Sequence, residues 1–151
     1  MSGKSTSPFD SSRSSEPGGY RPSVLVVDDE SAIADTLAEI LSRNGYAALP
    51  AYDGSAALEI ALLTPPELLI ADVVLPGMDG VELAITIRRI FPDCKVLLFS
   101  GQASTTDLLA AARRDGHQFT LLSKPLHPID LLARVAESLK HRGSHISASA
   151  N

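Results

Sequence analysis

Cysteine is nearly absent: Cys94 stands alone in 151 residues, so neither an internal disulfide framework nor a cysteine-rich zinc site can be built. Such usage is expected of a cytoplasmic protein. Long apolar runs are missing as well. The longest, Leu68 to Leu75, is broken by Asp72 and falls far short of the ~20 residues that cross a bilayer. No apolar stretch follows Lys4 or Arg13, as a signal peptide would require, so a soluble protein with no membrane partner is expected. Positive charge is the third deficit: 13 Lys and Arg face 18 Asp and Glu, a formal charge of −5. Direct nucleic-acid binding needs clustered cations and is not expected. Tryptophan is absent and aromatics make up 5%, yet 44% of the residues are hydrophobic, which suffices for one globular domain.

The ends differ from the middle. Residues 1–22 hold seven Ser, three Pro and three Gly and almost nothing apolar, which predicts a flexible arm; Gly143 to Asn151, small and polar, predicts a flexible tail. Between them, over residues 23–142, the hydrophobic period switches repeatedly. Ser23 to Val27 reads as a strand and Ile33, Leu37, Ile40 and Leu41 as a helix ending at Asn44-Gly45. Tyr46 to Ala51 is a weaker strand, Gly54 to Leu63 a helix capped by Asp53, and Glu67 to Ala71 a buried strand. Gly80 to Ile90 is the third helix, Lys95 to Phe99 the fourth strand, and Ser104 to Arg114 the fourth helix, with a capping-box spacing from Ser104 to Asp107 and Gly116 beyond its end. Phe119 to Leu122 is the fifth strand, and Pro128 opens the last helix. Five strand–helix units predict an α/β, doubly wound parallel sheet with helices on both faces.

In such a sheet ligands bind beyond the carboxyl ends of the strands. Strand 1 ends in Asp28-Asp29, strand 3 in Asp72, strand 4 in Ser100-Gly101 and strand 5 in Ser123-Lys124-Pro125. With the strands ordered 2-1-3-4-5, three carboxylates, a hydroxyl and an ammonium meet at one edge. An unscreened acid cluster is costly, and a divalent cation relieves it: oxygen ligands suit Mg²⁺, Mn²⁺ or Ca²⁺, with Mg²⁺ the best match for few carboxylates, retained waters and a phosphate.

Residues 23 to 140 resemble the receiver domain of two-component response regulators, a CheY-like, flavodoxin-like fold. The segments VLVVDDE, LLIADVVLPGMDG, LLFSGQ and LLSKPL follow in the family's order and close to its spacing. Each alone is weak, because an Asp-Asp is ordinarily a solvated turn and a Lys-Pro a loop; together they are specific. The resemblance implies Asp72 as phosphoacceptor, Asp29 as a direct Mg²⁺ ligand, Asp28 as a secondary one and the Val74 carbonyl as another. It implies that Ser100 and Lys124 bind the phosphoryl group, with Gly101 leaving room for the loop and Pro125 following a cis peptide bond. It also implies a sensor histidine kinase or phosphotransfer protein as phosphodonor, a protein effector, a phosphorylation-dependent homodimer as one mode of output, and a signal leaving through helix 4, strand 5 and helix 5.

The pattern is not complete. Where the family often carries an aromatic switch, three residues before Lys124, Leu121 stands; Val74 and Gln102 occupy positions that tune water access to the phosphoryl group. Pro76-Gly77 and Asp79-Gly80 read as turn residues with unusual dihedrals, Met78 as a gap filler and Cys94 as packing. The histidines, at 117, 127, 141 and 145, lack metal-ligand spacing. Two other classes share part of the pattern: a Mg²⁺-dependent aspartyl phosphatase, disfavoured because Val74 replaces the second Asp, and a receiver-like scaffold that is never phosphorylated. No output domain follows residue 142, which reads as a stand-alone or excised receiver.

Overall fold

The computed structural model describes the backbone of residues 19–101, 105–117 and 119–150, and the side chains of 19–101, 109–117 and 119–140. Five strands, β1 (Ser23–Val27), β2 (Ala47–Ala51), β3 (Leu68–Asp72), β4 (Lys95–Ser100) and β5 (Thr120–Ser123), alternate with five helices. The helices are α1 (Ser31–Ser42), α2 (Gly54–Leu63), α3 (Gly80–Ile90), α4 (Thr105–Arg114) and α5 (Pro128–Ala150). All strand pairs are parallel, as the alternation of patterns predicts, and they stand in the order β2-β1-β3-β4-β5 that the family resemblance implies.

The central strands are apolar throughout because both faces of the sheet are covered. Successive side chains point to opposite faces, so Val24, Val26, Leu68, Ile70, Leu97 and Phe99 pack with Leu37 and Leu41 of α1 and Leu131 and Val135 of α5. Leu25, Val27, Leu69, Ala71, Val96 and Leu98 form the other layer with Ala57 of α2, Leu83 and Ile87 of α3 and Ala112 of α4. Burying one such Leu or Ile contributes about 2 kcal/mol. Edge strand β2 tolerates Pro50, which pairs beside Val26, because an edge strand can do without one ladder donor.

Local chemistry sets the helix ends. The Asp53 carboxylate accepts the Ala56 N–H at 2.7 Å and the Asp79 carboxylate the Glu82 N–H at 2.8 Å, each cap worth about 1 kcal/mol. At the end of α4, Gly116 adopts φ +93°, and the N–H groups of Gly116 and His117 donate to the carbonyls of Arg113 and Ala112. That is the Schellman pattern, with Gly116 in the role its position predicts. Ser104, with the expected capping box, lies outside the described residues, as do the arm through Gly18 and Gln102.

The two ends of the described chain add detail that composition does not carry. The arm, expected to run through Pro22, is tied down from Tyr20: Tyr20 donates to the Glu67 carboxylate, Arg21 to the carbonyls of Ser42 and Tyr46, and the Pro22 carbonyl accepts the Ala47 N–H. Arg21 thereby satisfies the Ser42 carbonyl that the end of α1 leaves open, along with that of Tyr46 beyond it. At the other end, the backbone of α5 is helical through Ala150. Extending a helix adds one backbone bond per residue, so polar composition alone does not stop it.

Candidate functional site

The strands β3 and β4 each run one residue further than their apolar composition suggests, because Asp72 and Ser100 still pair in the ladder, with Phe99 and Ser123 respectively. Their side chains are consequently rigidly placed and buried: Asp72 is 6% exposed and Ser100 7%. Asp28, just past β1, is fully buried, its N–H donating to the Ala51 carbonyl.

The carboxylates of Asp28, Asp29 and Asp72 each bring an oxygen within 4.8 Å of the others, and Asp29 alone of the three is exposed. Lys124 reaches into this cluster from the end of β5. Its ammonium donates to Asp72 Oδ2 at 2.7 Å and to Asp28 Oδ2 at 3.3 Å. The other Asp72 oxygen accepts the Val74 N–H at 3.0 Å, and the other Asp28 oxygen the Glu30 N–H at 2.9 Å. Lys124 is also bound through its backbone, donating to the Ser100 carbonyl, and the Lys124–Pro125 peptide is cis.

Both partners of the Asp28–Lys124 pair are shifted upward, for different reasons. Burial, only partly offset by the Glu30 N–H and the Lys124 charge, pushes the Asp28 carboxyl above its usual value. Burial works to lower Lys124, but the hydrogen bond and charge of Asp72, with the charge of Asp28, outweigh it and hold the ammonium above its usual range. One ammonium thus stands against three carboxylates, two of them buried. The donor set consists of hard carboxylate oxygens with an anionic excess, and it fits a divalent cation of the Mg²⁺ type.

Comparison with known proteins decides the family. The sequence model of the response regulator receiver domain matches residues 24–136. The chain belongs to the response regulator receiver domain family. This receiver is 33% identical over 132 residues to the transcriptional regulatory protein PrrA of Mycobacterium tuberculosis, covering 87% of the chain and 56% of the relative. It is 33% identical over 117 residues to the response regulator MprA of Mycobacterium ulcerans, covering 78% and 50%. The receiver therefore spans about half the length of these curated relatives. Among solved structures it is similar to the CheY-like receiver domain protein of Methanospirillum hungatei, with TM-score 0.75 and 28% identity over 83% of this chain and 99% of that one. It is also similar to the chemotaxis protein CheY4 of Vibrio cholerae, with TM-score 0.71 and 27% identity over 80% and 100%. Receiver domains are signalling modules that work with histidine kinases or phosphotransfer proteins, not enzymes in the ordinary sense. No helix among the described residues is long and apolar enough to cross a membrane.

The remaining expected site residues fall at different distances from the acids. Gly101 follows β4, and a Cβ added there would make only ordinary contact with Lys124, 3.6 Å away. Val74 sits at the mouth, 43% exposed. Leu121, equally exposed, lies on edge strand β5 beside Leu98, away from the carboxylates.

Two residues also shape the site in ways that the sequence pattern does not reveal. The Phe99 ring centroid lies 5.1 Å from the Lys124 ammonium, within cation–π range, which steadies a long side chain. Gly80 was read as a turn residue with unusual dihedrals, but its φ is not positive. Its requirement is space: a Cβ there would stand 2.1 Å from the Asp72 carbonyl oxygen. The first turn of α3 thus rests directly on the backbone of Asp72.

Proposed function

We propose that Asp72 accepts a phosphoryl group from the phosphohistidine of a partner histidine kinase or phosphotransfer protein. One observation carries the reading: a nearly buried carboxylate at a strand end, salt-bridged by Lys124 at 2.7 Å, with the oxygens of two further carboxylates within 4.8 Å. A carboxylate oxygen of Asp72 attacks phosphorus, the phosphorus–nitrogen bond of the donor breaks, and the imidazole leaves with the bonding electron pair and takes up a proton. Charge on the transferring oxygens must be neutralised at that moment. Lys124, already on Asp72 Oδ2, moves with the flexible stem of a lysine onto the phosphoryl oxygens. Asp28, Asp29 and Asp72, with the Val74 carbonyl, would hold Mg²⁺, which supplies further positive charge when bound. Ser100, buried at the end of β4, donates its hydroxyl to the new phosphoryl group, and Gly101 lets the following segment move with it.

The output surface in this reading is α4, β5 and α5. Leu121 has neither ring nor hydroxyl, so it reports phosphorylation by repacking alone. The net charge of −5 favours a protein effector or a second copy of the chain over direct nucleic-acid contact, and the lone Cys94 fits a reducing cytoplasm as the place of the exchange with the kinase. The test is incubation of the full chain with acetyl phosphate, with and without Mg²⁺, read by intact mass. A base-labile mass gain that requires Mg²⁺ is expected. No gain under any condition would leave the receiver-like scaffold as the better description.

A further inference from the structure

The loop from Val73 to Asp79 carries a backbone N–H that donates to the Asp72 carboxylate, that of Val74. Its base is pinned twice: the Val73 N–H donates to the Phe99 carbonyl, and the Gly80 N–H closes back on the Val73 carbonyl at 2.7 Å. Its far side turns at Gly77, with φ +81°, and returns through Met78, whose N–H donates to the Pro76 carbonyl. What bears on that far side belongs to another element. Gly54, the first residue of α2, is buried, and a Cβ built on it would lie 3.1 Å from Met78 Cβ, 3.1 Å from Sδ and 3.3 Å from Cγ.

We infer that Gly54 is a positioning residue for the phosphoacceptor loop, acting through Met78 on the Val74 segment; this rests on Asp72 being the phosphoacceptor. The atoms involved are informative. Met78 Sδ and Cγ can swing to another rotamer, but Met78 Cβ moves only with the loop backbone. A methyl group at position 54 therefore displaces the loop itself, and the Val74 N–H and carbonyl travel with it. Helix propensity pulls the other way, because Ala is better than Gly within α2. Stability and function are thereby separated at one position.

The experiment is a double-mutant cycle in the full chain, with acetyl phosphate and Mg²⁺ as probes, using Gly54→Ala, Met78→Gly and the pair. Gly54→Ala should keep its melting temperature yet be phosphorylated about fivefold more slowly, since the neighbour must give by a few tenths of an ångström and an error of ~1 Å costs on the order of a hundredfold. The Val74 amide resonance should shift and Mg²⁺ affinity should fall in the same variant. In the Met78→Gly background, where the obstructing Cβ is gone, Gly54→Ala should change neither rate nor affinity. If Gly54→Ala does not fold alone, the pair must regain folding. A Gly54→Ala protein with wild-type rate and Val74 resonance, or an equal loss in both backgrounds, would overturn the inference. A wild type that takes no phosphate would instead overturn the assignment of Asp72, and the Val74 resonance and Mg²⁺ affinity would still decide the role of Gly54.

Discussion

Replacing Lys124 by Met removes the ammonium while keeping an apolar stem against Phe99, and it should destabilise the metal-free protein. At an effective dielectric near 20, an ammonium 2.7 Å from Asp72 and 3.3 Å from Asp28 gains about 6 and 5 kcal/mol of gross attraction. The two acids, with oxygens no farther than 4.8 Å apart, repel by at least about 3.5 kcal/mol in the same medium. Most of the gross attraction is cancelled by the cost of burying the charges, and what matters on substitution is the anion left without its partner. Removing one member of a buried pair costs about 3–5 kcal/mol, and the Lys124 side chain is a quarter exposed, so solvent screening brings the expectation to about 2–3 kcal/mol. For a domain of this size that lowers the melting temperature by roughly 10 °C.

Saturating Mg²⁺ should shrink the gap between variant and wild type, because a cation in the acid cluster replaces the missing charge. The pH dependence has a definite sign. Lys124 is held above its free value of 10.5, so its contribution is complete below 10.5 and is lost as pH rises through the higher folded value. Thermal melts of the two proteins should therefore run parallel from neutral pH to about pH 10 and converge above it. Equal melting temperatures in metal-free buffer at pH 7, with equal Mg²⁺ stabilisation, would refute the electrostatic picture of the cluster.

Asp29→Ala should raise the melting temperature in metal-free buffer, by removing a repelling charge, and weaken Mg²⁺ binding strongly in a calorimetric titration; unchanged affinity would count against the site as drawn. Burial pushes the Cys94 thiol up to about 12, so at pH 8 its thiolate fraction is about a thousandfold below that of a free thiol near 9. An aromatic disulfide reagent should therefore leave Cys94 untouched in the native protein and modify it after unfolding in guanidinium. Phosphorylation mimicked with beryllofluoride should produce its largest amide shifts away from the acids in α4 and β5; shifts confined to α1 and α5 would show that the signal takes another route.

The fold was legible because parallel strands covered on both faces must be apolar at every position, which makes runs such as Val24 to Val27 and Leu68 to Ala71 conspicuous. The same rule misplaced the strand ends. Polarity at Asp72 and Ser100 reads as the start of a loop, whereas each still belongs to the ladder, and that is what holds these groups rigid. Asp28, Asp29, Asp72 and Lys124 could be gathered from sequence because strand order alone brings their termini together. Phe99 could not, since a core aromatic in an apolar strand carries no sign that its ring faces an ammonium. Gly80 and Gly54 were hidden for a different reason: their demand is for empty space against another segment, and spacing along the chain does not encode which backbone approaches. Tyr20 and Arg21 sit in a stretch of disordered composition, yet long-range hydrogen bonds to Glu67, Ser42 and Tyr46 overrule composition there.

In the proposed function one carboxylate, Asp72, is the group that changes state. Intact-mass and peptide mapping of Asp72→Asn and wild type, each exposed to acetyl phosphate and Mg²⁺, test it most directly, with beryllofluoride-free thermal melts confirming that the variant folds. The account predicts a base-labile, acid-stable phosphoryl adduct on the peptide containing Asp72 in the wild type and none in the variant. An adduct of equal yield in Asp72→Asn, mapped to Asp28, Asp29 or any histidine, would contradict it.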